Sequence, residues 1–418
     1  MTRNSLLCIG LAALSACSQS ASSTSTASTA TPVQAGADPS LVDRARAIHA
    51  RVFTIDTHKD IPDNFATAAA DPKSMNAQVN LDKMKAGGYD MAFFAVYVGQ
   101  GARTDSGNAV AKERALNKFA AIHRMAEQMY PNLIEIAYTP ADAERIHRSG
   151  KLVAGIGIEN GWVIGRDLSL IKRYYDLGAR YMTLAHTSNN DICDSSTDPK
   201  GEEWHGLSPF GRQVVAEMNR VGMMVDVSHV SKKCMMQATE LSTLPVLGSH
   251  SSTTAFANVP RNMDDEMLAA IKKNNGVVQI VAFNGYVKVQ PAVRDSLARA
   301  LSDEFFPGGG GRGGRGRAAL PPDRQAEYDR RLAEIDAKYP PANVVDFVNH
   351  IDHAVKVAGI DHVGISSDFD GGGGVTGWRD ASETFNVTLE LVKRGYTEEQ
   401  IAKLWGGNLL RVWAANQR

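Results

Sequence analysis

Eight near-continuous apolar runs punctuate this chain, at 52–58 (VFTIDTH), 91–98 (MAFFAVYV), 152–158 (LVAGIGI), 181–187 (YMTLAHT), 223–229 (MMVDVSH), 245–250 (PVLGSH), 276–283 (GVVQIVAF) and 362–369 (HVGISSDF). A sheet with one wet face alternates apolar and polar residues along each strand, so unbroken runs predict parallel strands covered by helices. The segments between them agree. In 208–222 (SPFGRQVVAEMNRVG) Pro209 suits a first helical turn and Gly222 an end, and 263–274 and 343–358 are further amphipathic helices. A chain of 418 residues, 43% hydrophobic, can bury a core large enough for eight strand–helix units. The prediction is an α/β fold, a (β/α)8 barrel of the TIM type occupying 41–418. The competing architecture, an open doubly wound sheet, lacks its glycine fingerprint after the first strand.

Residues 284–341 separate the seventh run from its helix. They hold a Gly/Arg tract, with basic residues from Arg312 to Arg317, and a charged segment of helical character at 323–339. An insertion after a strand lies on the face where barrel active sites are built, so it is either a lid or partner surface, or surface decoration. The Gly/Arg tract reads as a flexible loop, with an RNA-touching element as the alternative. With a net charge of −1, a pI near 6.8 and no other basic patch, the chain has no electrostatic footprint for nucleic acid.

The N-terminus reads as a secretory leader over 1–16. Arg3 gives a short positive start, and Leu6 to Ala16 form an apolar stretch too short to span a bilayer. Leu14-Ser15-Ala16-Cys17 resembles a bacterial lipobox, which makes Cys17 the lipidated residue; an ordinary signal peptide containing a cysteine is the other reading. The Ser/Thr/Ala-rich stretch within 17–40 has too little apolar surface to fold and suits a tether. The expectation is a periplasmic protein anchored by lipid, at the outer membrane if the cell is Gram-negative, because Ser18 rather than Asp follows the cysteine. Cys193 and Cys234 make no disulfide framework and are expected as unpaired thiols, Cys234 buried on a helix.

The run ends carry the chemistry. His58, Asp60, Glu159, His229 and His250 each stand where an apolar run stops, and in a βα barrel these ends face one shared bowl. His58 and Asp60 are two apart, so in extended chain they share a face and can reach one cation. A carboxylate at Glu159, closing an uncharged run, is costly unless paired or ligated; as a bridge it would hold two cations about 3.5–4 Å apart. His229 and His250 close their runs with identical Ser-His endings. Each has an ordinary structural reading alone. Together, imidazole and carboxylate without thiolate fit an open catalytic Zn²⁺ site, with Mn²⁺, Fe²⁺ or Co²⁺ as alternatives. Three more residues are candidates: His186 to hydrogen-bond a developing oxyanion, Arg261 to hold a substrate carboxylate or make a surface salt bridge, and Asp368 to exchange a proton with an activated water. Asp370 and the glycines 371–374 follow, but no Lys-Ser/Thr completes a phosphate cradle.

In chain order, DTHKDIP, GIEN, YMTLAHTSNND, GLSPFGRQVVAEMNRVGMMVDVSH, GSHSST, VPRNM, DHVGISSDFDGG and GGNLLRV resemble the membrane (renal-type) dipeptidase family of zinc peptidases, from about residue 45 to 415. The resemblance implies a (β/α)8 barrel with two Zn²⁺ ions per chain that cleaves dipeptides, including those with a C-terminal D-residue. It implies His58 and Asp60 on one zinc, Glu159 bridging, and His229 and His250 on the other. It also implies His186 and Arg261 against substrate, Asp368 as proton shuttle, Tyr286 (in FNGY) on the substrate side, and a homodimer. The chain departs from the family pattern at Thr57 and Lys59 (usually Gly and Asn), at Asn160 and Ser366 (usually Gly), and in the 284–341 insertion. No departure removes a ligand, but they leave substrate preference open. Two other readings remain: hydrolysis of other amides, such as β-lactams or N-acyl amino acids, on the same site, and a lipoprotein that binds peptidoglycan fragments without turnover.

Overall fold

The structure, a computed structural model, describes residues 38–307 and 320–418. The leader, Cys17, most of the tether and the Gly/Arg tract lie outside the described residues.

Among the described residues, nine strands form one sheet: β1 Ile55–Asp60, β2 Met91–Tyr97, β3 Ile134–Ile136, β4 Leu152–Glu159, β5 Ala179–Thr183, β6 Met224–Asp226, β7 Leu247–Ser251, β8 Val277–Val281 and β9 Val363–Ser366. Every pairing is parallel, in the order β1-β2-β4-β5-β6-β7-β8-β9, with the short β3 attached to β4 alone. Asp60 N donates to Phe369 O at 2.9 Å and brings the two ends of the sheet together, giving a (β/α)8 barrel. All eight expected runs are strands. β3 is the addition.

The helices form where their caps require. Ser208 Oγ accepts from Gly211 N to start the helix Pro209–Val221, and Gly222 ends it at φ +90°, a conformation that favours glycine. Asp264 caps Asp265–Lys273, and Asn343 with Asp346 forms a capping box for Val344–Ala358. The helix Asn408–Asn416 closes the bottom of the barrel: Leu409, Val412 and Trp413 pack against Ile55, Met91, Phe93, Tyr181 and Leu247. Side-chain size inside the barrel is bounded by β4. A Cβ at Gly157 would lie 2.0 Å from the Tyr181 ring, so the absence of a side chain there is what lets Tyr181 lie across the interior toward β1.

The insertion folds as the short helix Asn284–Val287 followed by Ala292–Phe305 and Pro322–Lys338. The two longer helices pair through Arg331–Glu304 at 2.6 Å, Arg294–Asp336 at 2.8 Å and an edge contact of Phe305 with Tyr328. Cys193 and Cys234 are buried free thiols, and Cys234 lies on the helix Lys232–Leu241.

Candidate metal centre

The strand ends converge at Glu159, the last residue of β4. Its Oε2 lies 3.5 Å from His58 Nε2 on β1. Its Oε1 lies 3.1 Å from His229 Nε2, 3.2 Å from His186 Nε2 and 3.5 Å from His250 Nε2. One carboxylate thus turns one oxygen toward β1 and the other toward the imidazoles that follow β5 and β6 and the one on β7. His229 and His250 approach each other through Nε2 at 2.7 Å, and His58 Nε2 stands 3.8 Å from Asp60 Oδ2. Donor atoms fall into three overlapping groups, each within 4.8 Å: His58, Glu159 and His250; Glu159, His186 and His229; His58, Asp60 and Asp368. The arrangement brings together all five residues read as ligands, and Asp368 with them. It also sets His186 at donor distance, where the sequence reading gave it only substrate work.

Several non-glycine residues of this rim are held at positive φ: Asn160 at +83°, His229 at +67° and Asp368 at +57°. Such strain collects at functional sites because it re-aims a side chain as the strand ends. At Asn160 this is a conformation that glycine adopts more easily than a residue with a Cβ. The amide oxygen of Asn160 caps Trp162 N and its Nδ2 donates to Val98 O, which holds the bend.

Do these residues fit divalent cations? His58 Nε2 is buried without a hydrogen-bond partner, a costly condition unless the lone pair is used. The donors are imidazole and carboxylate with no thiolate, the set that suits zinc in an open site. Gly371 completes the cradle. A Cβ there would lie 2.1 Å from Asp368 Oδ1 and 2.3 Å from Asp60 Oδ2. The residues fit divalent cation binding around Glu159.

The field around them is uneven. Burial would raise the Glu159 carboxyl, but His186 and His58, with hydrogen bonds from His186 and His229, hold it well below the usual range. Burial, then His58, pushes His250 down to about 3; burial, then Arg261 and His186, pushes His229 well below the usual imidazole value. Burial also pulls His58 down, yet Tyr181, Glu159 and Asp60 together carry it well above. For Asp368, burial with Asp60 and Glu159 outweighs His58 and Arg261, and its carboxyl rises to about 8.

Arg261 follows β7 and is buried, not a surface ion-pair residue. Its Nη2 donates to His250 O at 3.1 Å, its guanidinium lies 5.1 Å from the centre of the Tyr286 ring, and its Nε has no partner. Tyr286 stacks on Phe283 at 4.2 Å and burial raises its phenol. Lys59 turns away from the bowl, as alternation along the strand requires. It is buried against Phe65 and Phe94, with Nζ 3.1 Å from Asp370 Oδ2. Sequence reasoning passed over the residues that support the ligands: Asp56, Tyr181, Asp226 and Ser249. The available signal was a carboxylate inside an apolar run, two positions before His58 and three before His229.

A (β/α)8 barrel with a buried imidazole–carboxylate cluster at its strand ends defines a metal-dependent hydrolase. The chain belongs to the membrane dipeptidase family, peptidase family M19, whose profile matches residues 42–418; it is a dipeptide-hydrolysing metallopeptidase. It is similar to the dipeptidase tcpJ of Claviceps purpurea (strain 20.1), with 32% identity over 345 residues, 81% of this chain and 69% of that one. It is similar also to the crystal structure of the probable dipeptidase PvdM from Pseudomonas aeruginosa, at 32% identity and a TM-score of 0.77, covering 90% of this chain and 98% of that chain. A metallopeptidase from Rhodobacter sphaeroides, liganded with a phosphinate mimic of the dipeptide L-Ala-D-Ala, shares the fold at 21% identity and a TM-score of 0.65, covering 87% of this chain and 99% of that one.

Proposed function

We propose that this chain is a two-zinc dipeptidase, tethered by lipid on Cys17 and facing the periplasm, that cleaves dipeptides including those with a C-terminal D-residue. The observation that carries the metal reading is Glu159, with its two oxygens turned to imidazoles on opposite sides. His58 and Asp60 would hold one ion, His229 and His250 the other, and Glu159 both. When bound, the pair supplies Lewis acidity at the scissile carbonyl and lowers the pKa of water.

The chain's own groups supply the rest. His186 Nε2 faces the bowl beside Glu159 and can donate to the oxygen that gains charge as the carbonyl is attacked. Asp368, grouped with His58 and Asp60 at the rim, can take a proton from the attacking water and pass it to the leaving amine. Arg261, with Nε unspent and its plane set by Tyr286, can take the terminal carboxylate through two parallel bonds. That contact selects substrates whose carboxylate lies one residue from the scissile bond.

The anchor rests on the Leu14–Cys17 motif and the tether behind it. The homodimer implied by the family resemblance belongs to the same proposal, and sedimentation of the purified chain tests it. A panel of dipeptides with L- or D-residues at each position tests the activity: turnover of L-Ala-D-Ala and L,L-dipeptides, abolished by chelation, is expected, and no turnover of any member refutes it. Because β-lactams and N-acyl amino acids also present a carboxylate to Arg261, they are the second reading; assayed beside the dipeptides, they should be the poorer substrates.

A further inference from the structure

His58 and His250 both turn Nε2 toward Glu159, and each commits its other ring nitrogen to a hydroxyl whose proton is already spent. We infer that Asp226 acting through Ser249, and the Thr57 carbonyl acting through Tyr181, fix the tautomers of His250 and His58 so that each presents an unprotonated Nε2 to a cation. Asp226, Ser249 and Tyr181 are positioning residues for the metal centre.

The chain of donors is explicit. Asp226, at the end of β6, is fully buried and accepts four bonds, and all four partners are donors. Its Oδ1 takes Ser228 N at 3.0 Å and Ser249 N at 2.8 Å; its Oδ2 takes Ser249 Oγ at 2.6 Å and Thr183 Oγ1. A hydroxyl has one proton. Ser249 gives its proton to the carboxylate at 2.6 Å in preference to Ser228 Oγ at 3.3 Å, since the bond to a charged acceptor is the stronger. Toward His250 Nδ1, 2.8 Å away, Ser249 Oγ can then only accept. The imidazole proton therefore sits on Nδ1, and Nε2 keeps its lone pair.

On the other side of Glu159 the relay is a phenol. Tyr181 Oη donates to Thr57 O at 2.8 Å and so accepts from His58 Nδ1 at 3.1 Å. The phenol reaches that point because Gly157 leaves room for its ring. When the ring is neutral, this leaves the lone pair on His58 Nε2, the buried nitrogen without a hydrogen-bond partner among the described residues. By contrast His229 Nδ1 has no hydrogen-bond partner among the described residues, so the device serves one imidazole of each proposed metal pair. Partners of this kind on the far nitrogen fix ring orientation and raise ligand basicity, and losing them lowers metal affinity by about 10–100-fold.

Without its acceptor, Ser249 would be free to rotate and donate to Nδ1, moving the ring proton to Nε2 and removing a ligand. In Asp226→Asn the amide can donate to Ser249 Oγ and drive the same reversal. Because Asp226 also ties β5 to β7, that variant alone could lose affinity by loosening the barrel. Ser249→Ala separates the two effects: Asp226 keeps Ser228 N, Ser249 N and Thr183 Oγ1, so the fold keeps its tie while the relay is cut. Ser249→Thr restores the hydroxyl.

The test uses the full chain: zinc affinity by chelator competition, the visible spectrum of the cobalt-substituted protein, and melting of the chelator-treated protein. Expected are a loss of about 10–100-fold at one zinc in Ser249→Ala, an altered cobalt spectrum, and melting close to the parent. Recovery in Ser249→Thr, and a matching loss at the other zinc in Tyr181→Phe, complete the pattern. The inference rests on the two-metal reading, and the outcomes separate them. A parent chain that binds no divalent cation defeats that reading. A parent chain that binds two, with Ser249→Ala and Tyr181→Phe binding both as tightly, overturns the relay alone.

Discussion

Raising the pH from about 6.5 to 8 should destabilise the chelator-treated protein, and Asp368 alone accounts for about 2 kcal/mol of it. Its carboxyl is raised from the ordinary 3.8 to about 8 by burial beside Asp60 and Glu159. A group whose folded pKa exceeds its unfolded value binds its proton more tightly in the fold, so its contribution is complete below the unfolded pKa and is lost as pH rises through the folded one. At about 1.4 kcal/mol per unit, the span from 6.5 to 8 accounts for about 2 kcal/mol. His58, also raised, acts in the same direction. His229 and His250 are depressed and act the other way, but their opposition halves by about pH 6.5 and fades above it, as the unfolded imidazole gives up its proton. Above about pH 7.5 the window is nearly free of their opposition. Thermal or urea unfolding at several pH values, with chelator present, reads the slope. Asp368→Asn, which cannot titrate, should flatten most of it. Zinc should reverse it, because ligands release protons when they bind metal and affinity grows with pH. A stability that rises across this window, or a slope unchanged in Asp368→Asn, would refute the reasoning.

Three further outcomes are expected. Arg261→Ala should lower kcat/KM for dipeptides by about 10–100-fold, the worth of about 1.5–3 kcal/mol for a bond to a charged group, with metal content unchanged and little effect on C-terminally amidated substrates; equal losses for both would exclude the carboxylate clamp. Gly371→Ala should lose metal at the Asp60 side, since its Cβ would lie within 2.3 Å of both Asp60 and Asp368 oxygens; metal titration checks this. Lys59→Met should destabilise the protein by about 1.5–3 kcal/mol, because half-buried Asp370 loses its cation but keeps the Gln78 and Val79 backbone donors, whereas the double variant with Asp370→Asn should recover part of that loss in urea unfolding.

The barrel was legible because parallel strands covered by helices must be apolar on both faces, and all eight runs carried that signature. β3 was not, since three residues are too few to show any period. The ladder also stops short of two run ends. β6 ends at Asp226 and β9 at Ser366, after which His229 and Asp368 turn into left-handed backbone that no apolar pattern announces. The ligands could be read because a charged or imidazole group closing an apolar run is costly without a purpose. Their supports could not. Tyr181 meets His58 across 123 positions, and Ser366 meets Asp56 across 310, so no local window contains both partners. The insertion's charged helix was visible from its composition, whereas its pairing with the Glu304 helix depends on contacts that composition does not specify.

The central claim is that Glu159 joins two cations. Metal analysis of the purified chain and of Glu159→Ala tests it most directly: the parent should carry two equivalents of zinc per chain and hydrolyse dipeptides, and the variant should lose both metal and activity. Two equivalents of zinc with full activity in Glu159→Ala would contradict the account.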